Sequence, residues 1–217
     1  PPGYTRSGPA LPVLYLLDAE VHYPHVTALV QFQSRYLRMP EMIVVGVPSR
    51  ARGRDYVPGG EGGAERFLRF LPTEVRPRVD AGWRTAPFAV LAGHSLGGLF
   101  AVHVASTSPS AFGAYLAISP SLDRADSAAL HSARAALDGD GALPRYLYLA
   151  VAEAERPGIT DATGKLATAL ADARPAAMRW TSTTVAEENH LTVPPTALRE
   201  PVKLSNEVQG RAGRERV

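Results

Sequence analysis

Cysteine is absent from the 217 residues. That excludes a thiol nucleophile, a disulfide framework and any thiolate-ligated metal centre. No apolar run approaches the ~20 residues that a bilayer-spanning helix needs, so no membrane span is expected. Charge of one sign is also scarce: 23 basic against 21 acidic residues leave a formal charge of +2. The basic excess behind the sequence pI of about 9.1 is partly local, in the tail from Gln209 to Arg216. A nucleic-acid partner would call for a broader basic face interleaved with aromatics, and none is expected. The chain opens Pro1-Pro2-Gly3-Tyr4 with neither an initiator Met nor a signal-like segment, which points to a missing start or a removed leader. A chain without cysteine suits either redox environment. The expectation is a soluble protein, with cytoplasm slightly favoured over periplasm or secretion.

What is present is ordinary for a globular protein: 45% apolar and 20% charged residues. The length suits one domain over 1–200, with 201–217 as a polar, basic and poorly ordered tail. Six apolar or β-branched runs recur along the chain: Leu11 to Leu17, Met42 to Val47, Phe88 to Ala92, Ala114 to Ile118, Tyr146 to Ala152 and Arg179 to Val185. Most are unbroken rather than alternating, the pattern of strands buried on both faces of a parallel sheet. Helix-like stretches separate them at His25 to Leu37, Ala64 to Val79, Leu96 to Ser106, Ala125 to Leu137 and Thr160 to Ala173. This alternation predicts an α/β fold with a mostly parallel central sheet and helices on both faces. Gly59 to Gly63 reads as a loop, since no Gly-Lys-Ser/Thr follows to make a phosphate cradle.

The sequence Gly93-His94-Ser95-Leu96-Gly97 falls where a buried strand ends at Ala92 and a helix begins. Gly-x-Ser-x-Gly alone is modest evidence, but in a strand–turn–helix setting it marks a nucleophile elbow. Crowding at such a bend demands the glycines, and the helix N-terminus favours developing negative charge on Ser95. The N–H of Leu96 can then face an oxyanion. The competing structural reading is a plain helix N-cap at Ser95.

A serine hydroxyl needs a base. In this type of fold the chain order is serine, acid, histidine. His22, His25 and His94 precede Ser95, His103 lies in the helix after it, and His131 sits in an Ala-rich helical stretch. His190 remains, beyond the sixth run and the polar stretch Glu187-Glu188-Asn189. The acid is expected after Tyr146 to Ala152. Glu155 is preferred because it leaves room for the chain to turn toward His190. Glu153 is the alternative, Asp161 an outsider, and a Ser–His dyad without an acid the remaining option.

These stretches, with Met39 to Val47, Arg52 to Pro58, Glu65 to Leu71, Tyr115 to Leu122 and Glu188-Asn189-His190, resemble the putative-esterase family of α/β hydrolases. The match is best to its siderophore-esterase branch, which includes enterochelin and salmochelin esterases. The resemblance implies the α/β-hydrolase fold, Ser95 as nucleophile, His190 as base, and a second oxyanion N–H from the turn at Ala19 and Glu20. Departures are Ala19 where the family usually has Gly, Asp123-Arg124 where aromatics commonly follow, and Leu191-Thr192 where Gly and Ser commonly follow the histidine; the resemblance also implies one or more N-terminal strands ahead of Pro1, which are expected to be missing from this sequence.

The expected activity is hydrolysis of a small-molecule carboxylic ester through an acyl-enzyme, with neither metal nor organic cofactor. Acyl transfer by the same serine and an inactive binding scaffold are the alternatives. Arg50, Arg52 and Arg54 read as a solvated basic loop in preference to a contact for an acidic substrate.

Overall fold

The central apolar runs become strands because burial on both faces suits them, while the β-branched sixth run forms a largely exposed edge strand. The computed structural model describes residues 1–36, 39–59, 61–124, 128–139, 146–175 and 178–199. In chain order these form β1 (Leu11–Leu17), α1 (Ala19–Arg35), β2 (Ile43–Val47), α2 (Arg52–Asp55), α3 (Gly63–Phe70), a π-helical turn (Leu71–Val75) and α4 (Arg76–Gly82). There follow β3 (Thr85–His94), α5 (Leu96–Thr107), β4 (Ala114–Ile118), α6 (Ala128–Asp138), β5 (Tyr146–Ala154), α7 (Pro157–Ala173), β6 (Arg179–Asn189) and α8 (Val193–Ala197). The six strands form one sheet in the order β2-β1-β3-β4-β5-β6, and every pairing is parallel. This is the α/β-hydrolase architecture.

Alternate residues of the same strand serve two cores. Tyr15, Leu17, Leu91, Tyr115 and Leu149 point to the face covered by α5, α6 and α7. Leu14, Leu16, Leu116, Tyr148 and Ala150 point to the face covered by α1 and α8. Helix α5 is buried all round, with Gly97 through Ala105 all removed from solvent. Such a helix needs no polar stripe, and its sequence has none.

The strand order positions the site. From β1 the chain crosses one way to β2, then returns to place β3 on the other side of β1. Helices α1 and α5 therefore leave the neighbouring strands β1 and β3 toward opposite faces of the sheet. In such sheets ligands usually bind outside the carboxyl ends of the strands at this reversal of strand order, and Ser95 stands there, at the end of β3.

Several boundaries differ from the sequence expectation. Helix α1 starts at Ala19, ahead of His25, and runs through Pro24; the lost N–H costs only a bond to exposed Glu20 near the helix start. The stretch from 64 to 79 is interrupted at Leu71–Val75, where Pro72 and the nearby Pro77 each remove a ladder donor. Strand β6 continues to Asn189, so Glu187, Glu188 and Asn189 are strand residues rather than a loop. Helix α8 is unanticipated because it is rich in proline, yet Pro194 stands where a helix has no N–H to satisfy. Leu37, residues 125–127 of the expected helix start and the basic tail of 201–217 lie outside the described residues. Among the described residues no helix is long and apolar enough to cross a membrane.

Phe100 is fully buried on α5, with its ring 5.6 Å from Tyr56 and 5.4 Å from Phe67. Phe100→Ala is expected to lower the unfolding free energy by about 3–5 kcal/mol. Urea denaturation checks this, and a loss below ~1 kcal/mol would contradict so tight a core.

Candidate active site

At the end of β3 the backbone bends sharply. Ser95 has φ 58° and ψ −116°, a conformation that a side-chain-bearing residue adopts at a cost. Strand β4, the residues just beyond it and α5 hold it there. The Ser95 N–H donates to the Ile118 carbonyl at 2.9 Å, and the Ser95 carbonyl accepts from the N–H of Ser121 at 3.1 Å and of Leu99 at 2.9 Å. The bend brings α5 back so tightly that a Cβ at Gly93 would lie 2.2 Å from the Gly97 carbonyl oxygen. Only glycine fits. Ser95 occupies the N-cap position of α5 but makes no capping bond with its hydroxyl.

That hydroxyl faces elsewhere. Ser95 Oγ lies 3.0 Å from His190 Nε2 and 3.3 Å from Ser121 Oγ. His190 Nδ1 lies 2.7 Å from Glu155 Oε2. A carboxylate only accepts, so Nδ1 carries the proton of the neutral imidazole, and Nε2 is left to accept from the serine O–H.

Sheet register explains why Glu155 and not Glu153 meets the histidine. Ala154 pairs with Asn189, so Glu155 and His190 are the next residues along adjacent strands. Just before this, the register jumps from Ala152 opposite Val185 to Ala154 opposite Asn189. The extra β6 residues bulge out at Glu187, whose φ is 61° and whose N–H donates to Glu153 Oε2 at 2.8 Å. Glu153 thus fastens the bulge. Asp161 is exposed on α7.

The Glu155 side chain is 0% exposed, against 25% for His190. Burial alone would raise its carboxyl. Hydrogen bonds from His190, from the Arg156 N–H and from the Ser119 hydroxyl outweigh burial and hold it below the usual glutamate range. Ser119 is buried at φ 39°, and its Oγ also accepts from the Ala152 N–H at 3.3 Å.

Two helix N-termini meet beside Ser95. Leu96 begins α5, while Ala19 and Glu20 begin α1, and these first-turn N–H groups have no acceptor within their own helices. Asp18, at φ 53°, shapes the second turn, with its carbonyl accepting from Val21 and His22. Its buried carboxylate takes both arms of the Arg52 fork, at 2.6 Å from Nε and 2.9 Å from Nη2. Burial raises the Asp18 carboxyl above its ordinary range, and the bonds from Arg52 offset only part of that. Asp18 Oδ2 would stand 3.1 Å from a Cβ at Gly97, so the α1 turn sits directly against α5. Arg52 is therefore committed to a structural ion pair instead of a solvated loop, and Arg54 is engaged by Asp55 at 2.7 Å.

The structure thus brings Ser95, His190 and Glu155 into one hydrogen-bonded row and sets Glu153 apart. It adds Asp18, Arg52, Ser119, Ser121 and His94, to which sequence reasoning gave no part in the site. The traces of the first four were a polar residue closing β1, a basic residue in Arg52 to Pro58, and the Ser119-Pro120-Ser121 stretch. Among the described residues no group of three or more His, Asp or Glu is arranged to hold a metal ion. A hydroxyl paired with an oriented imidazole, beside unsatisfied N–H donors, can support attack on an acyl carbon.

Comparison with known proteins agrees with this chemistry. The model of the family described as "Putative esterase" matches residues 1–192. The ferri-bacillibactin esterase BesA of Bacillus subtilis is 34% identical over 138 residues, covering 51% of this chain and 48% of that protein. A siderophore triacetylfusarinine C esterase of Aspergillus fumigatus is 33% identical over 149 residues, covering 60% of this chain and 51% of that protein. The chain thus spans about half the length of these curated relatives. The crystal structure of an IroE-like serine hydrolase from Shewanella oneidensis superposes with a TM-score of 0.82 at 31% identity, covering 94% of this chain and 72% of that one.

Gly93→Ala is expected to destabilise the protein by about 1–3 kcal/mol through overpacking at the bend, read as a shifted urea midpoint. The depressed Glu155 carboxyl gives a pH test. Its contribution to stability is complete above the ordinary glutamate value of 4.5 and is lost as pH falls below that, through the lower folded value. The stability gap between the native protein and Glu155→Gln should therefore narrow in urea titrations taken downward from pH 4.5. A constant gap would mean that the carboxylate is not stabilised by its partners.

Proposed function

This chain belongs to the putative-esterase family of α/β hydrolases, and on that premise we propose that it hydrolyses carboxylic esters through an acyl-enzyme formed on Ser95. The hydrogen-bonded row Ser95–His190–Glu155, at 3.0 and 2.7 Å, is the observation that carries this reading. Ser95 Oγ attacks the acyl carbon while His190 Nε2 takes the hydroxyl proton. Glu155 keeps the proton on Nδ1 and stabilises the imidazolium. The negative oxygen of the tetrahedral intermediate is met by the Leu96 N–H and by the turn at Ala19 and Glu20. As the intermediate collapses, the ester C–O bond breaks and the leaving alkoxide takes the proton from His190. Water then attacks the acyl-enzyme with His190 again as base, the acid is released, and Ser95 recovers its proton.

The substrate we propose is a siderophore-type small-molecule ester, the class named for the relatives above. The chain beyond the Ser119-Pro120-Ser121-Leu122 stretch is charged rather than aromatic, with Asp123 3.5 Å from Arg156. This chain would therefore grip its acyl group differently from relatives with aromatic side chains there.

Ser95→Ala should lower kcat on a p-nitrophenyl ester by at least ~10³-fold while the fold persists. A fluorophosphonate probe should label the native protein and not this variant. Undiminished turnover in Ser95→Ala would reject the assignment, and a folded native protein that resists labelling would favour an inactive scaffold. Product analysis with added alcohol acceptors distinguishes hydrolysis from acyl transfer.

A further inference from the structure

His94, the residue immediately before Ser95, is only 8% exposed and stands outside the row of groups that handle the proton. Its Nε2 lies 2.7 Å from the main-chain carbonyl oxygen of His190. A carbonyl only accepts, so this nitrogen is the donor, and the tautomer of His94 follows. The two imidazoles are also in contact, with centroids 4.7 Å apart and planes tilted by 43°. The His94 ring also meets that of His22, in the first turns of α1, edge to face with centroids 5.3 Å apart.

We infer that His94 is a positioning residue: its Nε2–H ties the backbone of His190 to the nucleophile's own strand and thereby sets the Ser95–His190 distance. The inference rests on the reading of Ser95 and His190 given under Proposed function. The geometry closes a ring. From Ser95 Oγ the path runs to His190 Nε2, along that residue to its carbonyl, across to His94 Nε2, and back through one peptide to Ser95. Two hydrogen bonds, at 3.0 and 2.7 Å, close it.

The turn carrying His190 joins β6 to α8, whose Val193 is buried in the core. Strand pairing with β5 ends at Asn189. The bonds that follow are local: Asn189 Oδ1 accepts from the N–H groups of Leu191 at 2.9 Å and Thr192 at 3.3 Å, and the Asn189 N–H donates to Thr192 Oγ1 at 3.1 Å. These shape the turn without anchoring it to the elbow, and the neighbouring Leu191 is 80% exposed. Glu155 holds the ring of His190 and His94 holds its main chain, so together they fix both ends of the residue.

The charge state of His94 suits the task. Burial first, then His190 and His22, push its pKa down to about 3; the bond to the His190 carbonyl acts the other way, and the Arg52 cation adds to the lowering. A neutral His94 donates its bond without setting a second cation against the imidazolium that forms at His190 during turnover. His22, behind it, is likewise pushed down to about 4 by burial, and His25 is lowered by the same cause.

Three variants and one spectrum test this. His94→Leu keeps similar bulk without a donor and should lower kcat on p-nitrophenyl acetate by roughly 10- to 100-fold, with KM little changed. His94→Gln, whose amide nitrogen reaches as far as Nε2, should recover most of that loss. Fluorophosphonate labelling rates should follow kcat in both, with melting temperatures compared to match their stability. Equal losses in the two variants at matched stability, or native kcat in His94→Leu, would overturn the tether. Ser95→Ala run alongside separates the two readings: turnover in that variant defeats the nucleophile assignment, whereas an inert Ser95→Ala beside a fully active His94→Leu defeats only the tether. Should His94→Leu fail to fold, nitrogen-15 histidine spectra of the native protein decide. A protected Nε2–H on His94 that persists from about pH 5 to 8 is the expected result, and a His94 protonated on Nδ1 alone would overturn the inference.

Discussion

The bend at Ser95 is the constraint on which the remaining geometry depends. Holding a serine at φ 58° costs of order 1–3 kcal/mol, and the cost is met by bonds from two directions, Ile118 on β4 and Ser121 beyond it. Because the bend reverses the chain within a few residues, α5 runs back against β3 closely enough that Gly93 tolerates no side chain. The same reversal presses Gly97 toward Asp18, so the elbow and the turn that opens α1 share one contact surface. A single backbone conformation thus sets the Ser95 hydroxyl, the Leu96 N–H and the packing of the α1 turn against α5.

A different device delivers His190 and Glu155. Strands β5 and β6 are staggered by a bulge that lets Ala154 pair with Asn189, after which Glu155 and His190 emerge side by side. Both glutamates contribute, one by binding imidazole and the other by pinning the Glu187 backbone. Their division of labour is a matter of register alone, since they are chemically identical.

The sheet was the most legible part of the sequence, because strands buried on both faces must be apolar throughout and leave little else for such runs to be. Ser95 was equally plain, since the crowding that demands Gly93 also writes the motif. Glu155 could be favoured over Glu153 only on the grounds of reach, because the bulge that decides the matter leaves just a polar Glu187-Glu188-Asn189 stretch, which reads as loop. An edge strand such as β6 tolerates polar residues, which hides its true length. The pairing of Asp18 with Arg52 spans 34 positions and exists only once the sheet has formed. His94 escaped notice for another reason: chain order rules it out as the base, and order says nothing of what a residue beside the serine holds in place.

The two halves of the site are mounted on very different supports. Ser95 heads a helix whose residues from Gly97 to Ala105 are all buried. His190 follows β6, an edge strand with no fully buried residue. Local opening in proteins follows such differences, with sparsely packed edges exchanging long before a core helix does. Warming should therefore release the imidazole from the serine while the sheet is still intact. The protein would lose its reactivity before it loses its shape, and amide exchange along β6 would report the first event while exchange within α5 reports the second.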